Sequence, residues 1–509
     1  MPALARRAVD RTPLVALAGM ILAGAMLLPA LHASVLDAHD EARAFLYWAL
    51  ILATGFAFVA LAARRPEEEG ARGQLLALVA AFALLPLAAA APVIDLRPEA
   101  GAGRLWVEMI AAATTTGGTL VDPASLSPSL HLWRALVGWL GGLLVWIAAA
   151  AILAPLSLGG FEVLRPTGPR MRIVVAGGTV EAHERDPRTR IGAAATALGP
   201  IYVALSLGLW GILAALGADP TQAAIHAMAT LSTSGIQGIA PPGAATGLAG
   251  EAIVALFLVF ALSRRTFATD LHRGRLRGLA EDREMRMAIA IVAAVVAVLF
   301  LRHWAGAFEV DGIGSLRAGL GALWGTAFTA LSFLTTTGFV SAEWATARAW
   351  SGLDSPGVLL MGLAVAGGGV ATTAGGIKLL RVYALYAHGR REMDLLVHPH
   401  AAGGHGAGVR RLTREGVEAA WVFFMLFLLS LAGATLAFAA TGVGFEAALV
   451  LAVSALSTCG PLAAASAAPG AVLADLPGPA MAVFGAAMVL GRLEALALIA
   501  LFNPAFWRA

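Results

Sequence analysis

"LSFLTTTGFVSAEW", residues 331–344, sets three threonines, a glycine and a phenylalanine directly behind an apolar stretch of about 320–334. Spanning a bilayer takes about 20 apolar residues, so a shorter run ending in a hydroxyl-rich turn reads as a segment that enters the membrane and turns back. The pattern recurs: "TTTGGT" (114–119) follows the run 104–115, "LSTSGIQG" (231–238) follows 220–231, and "LSTCGPLA" (456–463) follows 445–456. The turn glycines, Gly117, Gly235, Gly338 and Gly460, are spaced by 118, 103 and 122 residues. One such turn would pass as a helix C-cap. Four in equivalent places are an internal repeat, each unit holding a spanning helix, a short helix, a turn and a second spanning helix.

The rest of the chain agrees. Of 509 residues, 59% are hydrophobic and 13% charged, with a mean hydropathy of +0.79, far from a soluble average. Spanning runs fall at about 13–31, 45–63, 73–92, 131–155, 191–217, 250–263, 286–304, 356–378, 415–440 and 478–502. The expected fold is an all-α polytopic membrane protein in which four pseudo-fourfold helix–pore-helix–filter–helix repeats follow two extra transmembrane helices. The expected units are 1–70 (the two extra helices), 71–160, 161–283, 284–395 (with a gate loop) and 396–509.

Charge sets the orientation. The loops 161–190, 264–286 and 378–414 carry arginines, Arg165, Arg277 and Arg391 among them, and by the positive-inside rule face the cytoplasm together with the N-terminus. The sequence pI of about 9.5 therefore reflects topology, and no nucleic-acid partner is expected. Residues 1–33 mimic a signal peptide, but Pro13 to Leu31 is long enough to span and is read as a retained helix. The single cysteine, Cys459, excludes a disulfide within the chain, and no Cys/His cluster has zinc spacing.

Irregular backbone inside the hydrocarbon layer survives only when buried in protein or lining water, and four turns meeting on an axis meet that condition together. A helix that ends there points its negative pole and free carbonyls inward, favouring a cation. Successive turn carbonyls can then replace the hydration shell of a monovalent ion, since no carboxylate lies in any turn. Thr335, Thr336 and Thr337 are expected to anchor their turn, with Phe339 wedged into surrounding protein.

Two further stretches stand out. "AVAGGGVATTAGGIKLLR" (364–381) interrupts a spanning helix with Gly367, Gly368 and Gly369, then Thr372 and Thr373, then Gly375 and Gly376. A helix broken there can serve as a movable gate. It ends at Lys378, the one lysine in the chain. "GRLEALAL" (491–498) puts Arg492 inside the last apolar helix, where an arginine needs carbonyls, a carboxylate or water; it is expected to reach toward 367–376. Glu108 and His226 read as buried anchors of the short helices. "VHPHAAGGHGAG" (397–408) reads as a flexible loop. No G-x-x-x-x-G-K-[ST] loop occurs and no histidine shares a nucleophile motif, so neither nucleotide hydrolysis nor an intramembrane hydrolase is expected.

Taken together, "WRALVGWLGG" (133–142), the four turns, "LVHP" (396–399), "TAGGIK" (373–378) and "GRLE" (491–494) resemble the Trk/Ktr/HKT superfamily of cation transporters, most closely the TrkH-like bacterial potassium uptake subunits. The resemblance covers nearly the whole chain. It implies ten transmembrane helices, four pore helices and one ion path per subunit. Also implied are a homodimer, a cytosolic RCK-type nucleotide-binding regulatory subunit, the bacterial inner membrane, and no cofactor beyond K+ as the transported ion. Carried over, the K+ ligands fall on Thr115, Thr116, Thr233, Ser234, Thr336, Thr337, Thr458 and Cys459 beside the four glycines. The gate falls on Gly367–Gly376, with Arg492 as its partner. In the superfamily a serine at the first filter glycine goes with sodium preference; Gly117 here implies potassium. Sodium transport, or symport with Na+ or H+, is the alternative on this fold. The sequence departs from the family at Leu143-Leu144, where Met-Gly is usual, and at the fourth turn, Thr-Cys-Gly-Pro-Leu in place of Asn-x-Gly-Pro-Gly.

Overall fold

The computed structural model describes residues 13–62, 71–154, 160–161, 172–175, 178–181, 187–263, 282–305, 316–398 and 414–494. The first helices are α1 (Leu14–Val35), α2 (His39–Ala62), α3 (Gly73–Leu96), α4 (Ala102–Ala113) and α5 (Pro128–Leu153). Next come α6 (Thr189–Ala215), α7 (Pro220–Ser232), α8 (Gly247–Ala261), α9 (Arg283–His303), α10 (Leu316–Leu334) and α11 (Trp344–Ser351). The last are α12 (Gly357–Ala366), α13 (Leu379–Val397), α14 (Gly416–Ala440), α15 (Phe445–Leu456) and α16 (Gly478–Leu493).

Among the described residues, seven helices are long and apolar enough to cross a membrane: α1, α2, α3, α5, α6, α9 and α14. The other three expected crossings correspond to the shorter apolar helices α8, α12 and α16. α12 stops at Ala366 because Gly367 takes φ +73, and residues 367–378 run without regular structure until α13. Residues 264–281 after α8 and 495–509 beyond α16 lie outside the described residues, as does most of 397–408.

Local chemistry accounts for the boundaries. α5 begins with Ser127 accepting the Leu130 N–H at 3.2 Å and Pro128 at the first helical position. α7 begins the same way, with Asp219 accepting from Thr221 and Gln222 ahead of Pro220. α4, α7 and α15 have 12, 13 and 12 residues, as a re-entrant reading requires. α10 is longer than expected at 19, because its first turn extends outward to the exposed Leu316.

The loop 161–190 is not wholly irregular. Arg172–Val175 and Gly178–Glu181 pair antiparallel, Ile173 opposite Val180, because "RIVV" and "GTVE" concentrate β-branched residues within the arginine-rich stretch. The other regular elements described are helices, and helix packing builds the core. Trp133 of α5 is fully buried, donates its indole N–H to the Ala89 carbonyl of α3 at 2.9 Å, and meets Phe45 of α2 edge-on at 5.8 Å. Those contacts, worth about 3–5 kcal/mol for a buried tryptophan, bind α2 and α3 to α5.

Candidate functional site

The short helices α4, α7, α10 and α15 end identically. A residue in the left-handed region follows each: Thr115 (φ +53), Thr233 (φ +51), Thr336 (φ +57) and Thr458 (φ +51). The next N–H reaches back five residues, Thr116 to Ala111, Ser234 to Ala229, Thr337 to Ser332 and Cys459 to Ser454, at 2.8–3.0 Å. This is the Schellman ending, normally closed by glycine. A β-branched residue there is strained by about 1–3 kcal/mol and persists only where its surroundings dictate it. Threonine at all four positions marks the turns as built for their hydroxyls.

The turns close on one another in chain order. A Cβ on Gly117 would be driven into the Ser234 carbonyl oxygen, and one on Gly235 into that of Thr337. A Cβ on Gly338 would meet Pro461 at 2.9 Å and the Cys459 sulfur at 3.2 Å; on Gly460 it would run into the backbone of Gly118. First meets second, second meets third, third meets fourth, fourth meets first. All of Thr115, Thr116, Thr233, Ser234, Thr336, Thr337, Thr458 and Cys459 are at most 1% exposed.

The fourth turn breaks the likeness. Gly117, Gly235 and Gly338 have φ +70, +63 and +80, whereas Gly460 is right-handed at φ −59 because Pro461 starts a helical turn behind it. Its N–H donates to the Thr116 carbonyl at 2.6 Å, leaving that oxygen one further lone pair. Hydroxyls pair across three turns, Thr114 with Thr116, Ser232 with Ser234 and Thr335 with Thr337, at 2.8, 2.9 and 3.0 Å. Cys459 has no hydroxyl to offer, and Ser457 Oγ is buried without a partner among the described residues.

Behind the first three turns stand polar anchors, nine residues before each glycine. Glu108 accepts from the Leu120 N–H at 2.6 Å, His226 contacts the Ala240 carbonyl at 2.9 Å, and Thr329 accepts from Ser341 N–H at 3.3 Å. The fourth position is Leu451. Glu108 also forms a buried ion pair with Arg134 at 2.5 Å, and Arg134 donates to Thr119. Glu251 of α8 accepts from Ser341, the Ala342 N–H and Trp324 behind the third turn. Phe339 is fully buried, edge-on to His226.

On the other side of the ring, all four left-handed threonines meet two structures. Arg492 donates from Nη2 to the hydroxyls of Thr115 and Thr458, from Nε to the Thr114 carbonyl at 2.7 Å, and from Nη1 to the Thr373 carbonyl at 2.7 Å. The segment 367–378 takes the other two, Thr373 Oγ1 lying 3.1 Å from that of Thr233 and the Gly375 N–H donating to Thr336 Oγ1 at 2.7 Å. A Cβ on Gly375 would run into the Ser457 carbonyl, so the fit is close. Thr372 folds back on the Gly369 carbonyl, Trp146 donates to that of Ala371, and the Lys378 ammonium caps that of Ala374. Gly376 and Lys378 end the segment with φ +76 and +82.

Charge collects there. Lys378 lies within electrostatic reach of Glu494, Arg492, Arg381 and Glu284. Arg381 is itself paired with Glu494 at 2.6 Å and stacked 3.6 Å over Phe423. Sequence reading brought the four turns, 367–376 and Arg492 forward; it missed Trp146, Arg134, Glu251 and Glu284, whose partners lie elsewhere in the sequence.

The chain is similar to known proteins. The TrkH family, described as "Cation transport protein", matches residues 277–508. The Trk system potassium uptake protein TrkH of Salmonella typhimurium is 30% identical over 99% of this chain and 99% of its own. TrkI of Halomonas elongata, also titled a Trk system potassium uptake protein, is 28% identical over 84% of this chain and 82% of its own. The crystal structure of the potassium transporter TrkH from Vibrio parahaemolyticus superposes with a TM-score of 0.79, at 26% identity and 99% coverage of both chains.

Proposed function

Since the chain belongs to the TrkH family of cation transport proteins, we propose that it is a potassium-selective, channel-like uptake protein of the bacterial inner membrane. The observation that carries this reading is the closed ring of four strained turns, with no carboxylate among them. Peptide oxygens from Thr115, Thr116, Thr233, Ser234, Thr336, Thr337, Thr458 and Cys459, with the four glycines, stand in for the water shell of K+. The inside-negative potential supplies about 2.3 kcal/mol per charge per 100 mV, so accumulation needs no ATP hydrolysis by this chain.

The segment Gly367–Gly376 and Arg492 form the gate. Together they occupy the space beneath the ring, and an arginine on a cation path is a barrier by charge as well as by bulk. Opening requires both to withdraw. A cytosolic RCK-type nucleotide-binding subunit would drive that step on a homodimer of this chain, with the N-terminus and the arginine-rich loops cytoplasmic.

Gly117→Ser tests the reading. The added side chain is forced against the Ser234 carbonyl at φ +70 and displaces a ring oxygen. In proteoliposomes the variant should lose most of its preference for rubidium over sodium. An unchanged preference would mean that the ring does not select the ion.

A further inference from the structure

The segment 367–378 is held from a second direction, away from the ring. Gly369 donates its N–H to the Ala261 carbonyl at 2.9 Å, and Val370 donates to Glu284 Oε1 at 2.8 Å. A Cβ on Gly368 would lie 2.7 Å from the same Ala261 oxygen. Ala261 and Glu284 flank residues 264–281, and the two flanks are tied directly, Ser263 donating its hydroxyl to the Asp282 carboxylate. Ser263, Asp282, Glu284 and Val370 are 0%, 8%, 3% and 0% exposed.

An N–H in irregular backbone at this depth must find a partner, and a carboxylate is a stronger one than a neutral carbonyl. Val370 finds it in a residue that stands on another helix, two positions past the Ser263–Asp282 tie. The shape of the segment and the geometry of this junction are therefore linked: what separates the two flanks takes an acceptor from Val370.

We propose that Glu284 is the positioning residue of the gate, holding Val370 in the closed arrangement, and that the Ser263–Asp282 tie keeps Glu284 in place. This rests on reading 367–376 as the gate.

The test uses the full chain in proteoliposomes without a partner, comparing Glu284→Ala, Glu284→Gln and Ser263→Ala by rubidium influx and by hydrogen exchange over 366–376. Glu284→Ala should raise influx roughly ten-fold and expose the Val370 amide to exchange, whereas Glu284→Gln keeps an acceptor oxygen and stays near the parent. Ser263→Ala should move in the direction of Glu284→Ala. Ion preference should be the same in all, since the ring is untouched. Equal influx and equal exchange in Glu284→Ala and the parent overturn the proposal, as does a Glu284→Gln effect as large as that of Glu284→Ala. Should Glu284→Ala fail to fold, an unmoved Ser263→Ala overturns it alone. Exchange reads the latch even where the closed parent passes no rubidium; an exposed Val370 amide in Glu284→Ala with no rise in influx would instead count against reading 367–376 as the gate.

Discussion

Arg492 donates a hydrogen bond to the Thr373 carbonyl at 2.7 Å, across 119 residues of chain. The same guanidinium reaches the first and fourth turns, so one side chain of α16 joins the ring to the segment beneath it. A guanidinium suits this position because its donors form a rigid fork, whereas an ammonium could serve fewer oxygens at fixed geometry.

Removing that side chain should open the path. Arg492→Ala deletes a cation and the donor to Thr373 together, and partner-free rubidium influx in proteoliposomes is expected to rise about ten-fold. Influx at or below the parent level, in protein that remains monodisperse, would argue that Arg492 supports the ring and does not obstruct it.

Gly375→Ala should have a related effect by a steric route. Its methyl collides with the Ser457 carbonyl and the Thr458 hydroxyl, so the segment must retreat from the fourth turn. Gly362→Ala in α12, where nothing lies within 4 Å, serves as control and should leave influx unchanged. Flux assays on the pair decide the matter; identical behaviour would mean that the close seat has no part in closure.

The ion pair behind the first turn predicts a stability effect. Arg134→Ala leaves the Glu108 carboxyl buried at 2% exposure without its partner, a loss of about 3–5 kcal/mol for a broken buried pair. Thermal unfolding in detergent should show a lower midpoint, and Glu108→Leu combined with Arg134→Leu should recover part of it. A double variant as unstable as the single would point to packing in place of charge.

Cys459→Ser should strengthen the fourth turn. The new hydroxyl stands where Thr116, Ser234 and Thr337 stand in the others and can pair with Ser457 Oγ, for a gain of about 0.5–1.5 kcal/mol. The expected readout is a higher unfolding midpoint with rubidium preference retained. A lower midpoint would show that the sulfur packs better than a hydroxyl bonds.

Much of this was legible in the chain itself. Runs too short to span, each stopped by hydroxyls and glycine, marked α4, α7, α10 and α15, because length against bilayer thickness is a property of local sequence. Gly367–Gly369 likewise marked the end of α12, and Arg492 betrayed its need for acceptors by being charged in an apolar helix. What stayed hidden depends on tertiary context. Propensity argues against threonine in the left-handed region, so Thr115, Thr233, Thr336 and Thr458 gave no local sign of their conformation. Gly460 looked equivalent to the other glycines; the turn set by Pro461 and the first turn's backbone decide its angle. Trp146, Glu251 and Glu284 resemble ordinary core or helix-start residues, since their partners are groups that only folding brings near.

The ring itself can be examined by anomalous diffraction from crystals of the chain grown in rubidium or thallium. Peaks are expected on the line enclosed by Gly117, Gly235, Gly338 and Gly460, within coordination reach of turn carbonyls from all four quarters. Monovalent ions bound elsewhere along the protein, with that line clear of density in transport-competent material, would contradict a carbonyl-lined filter.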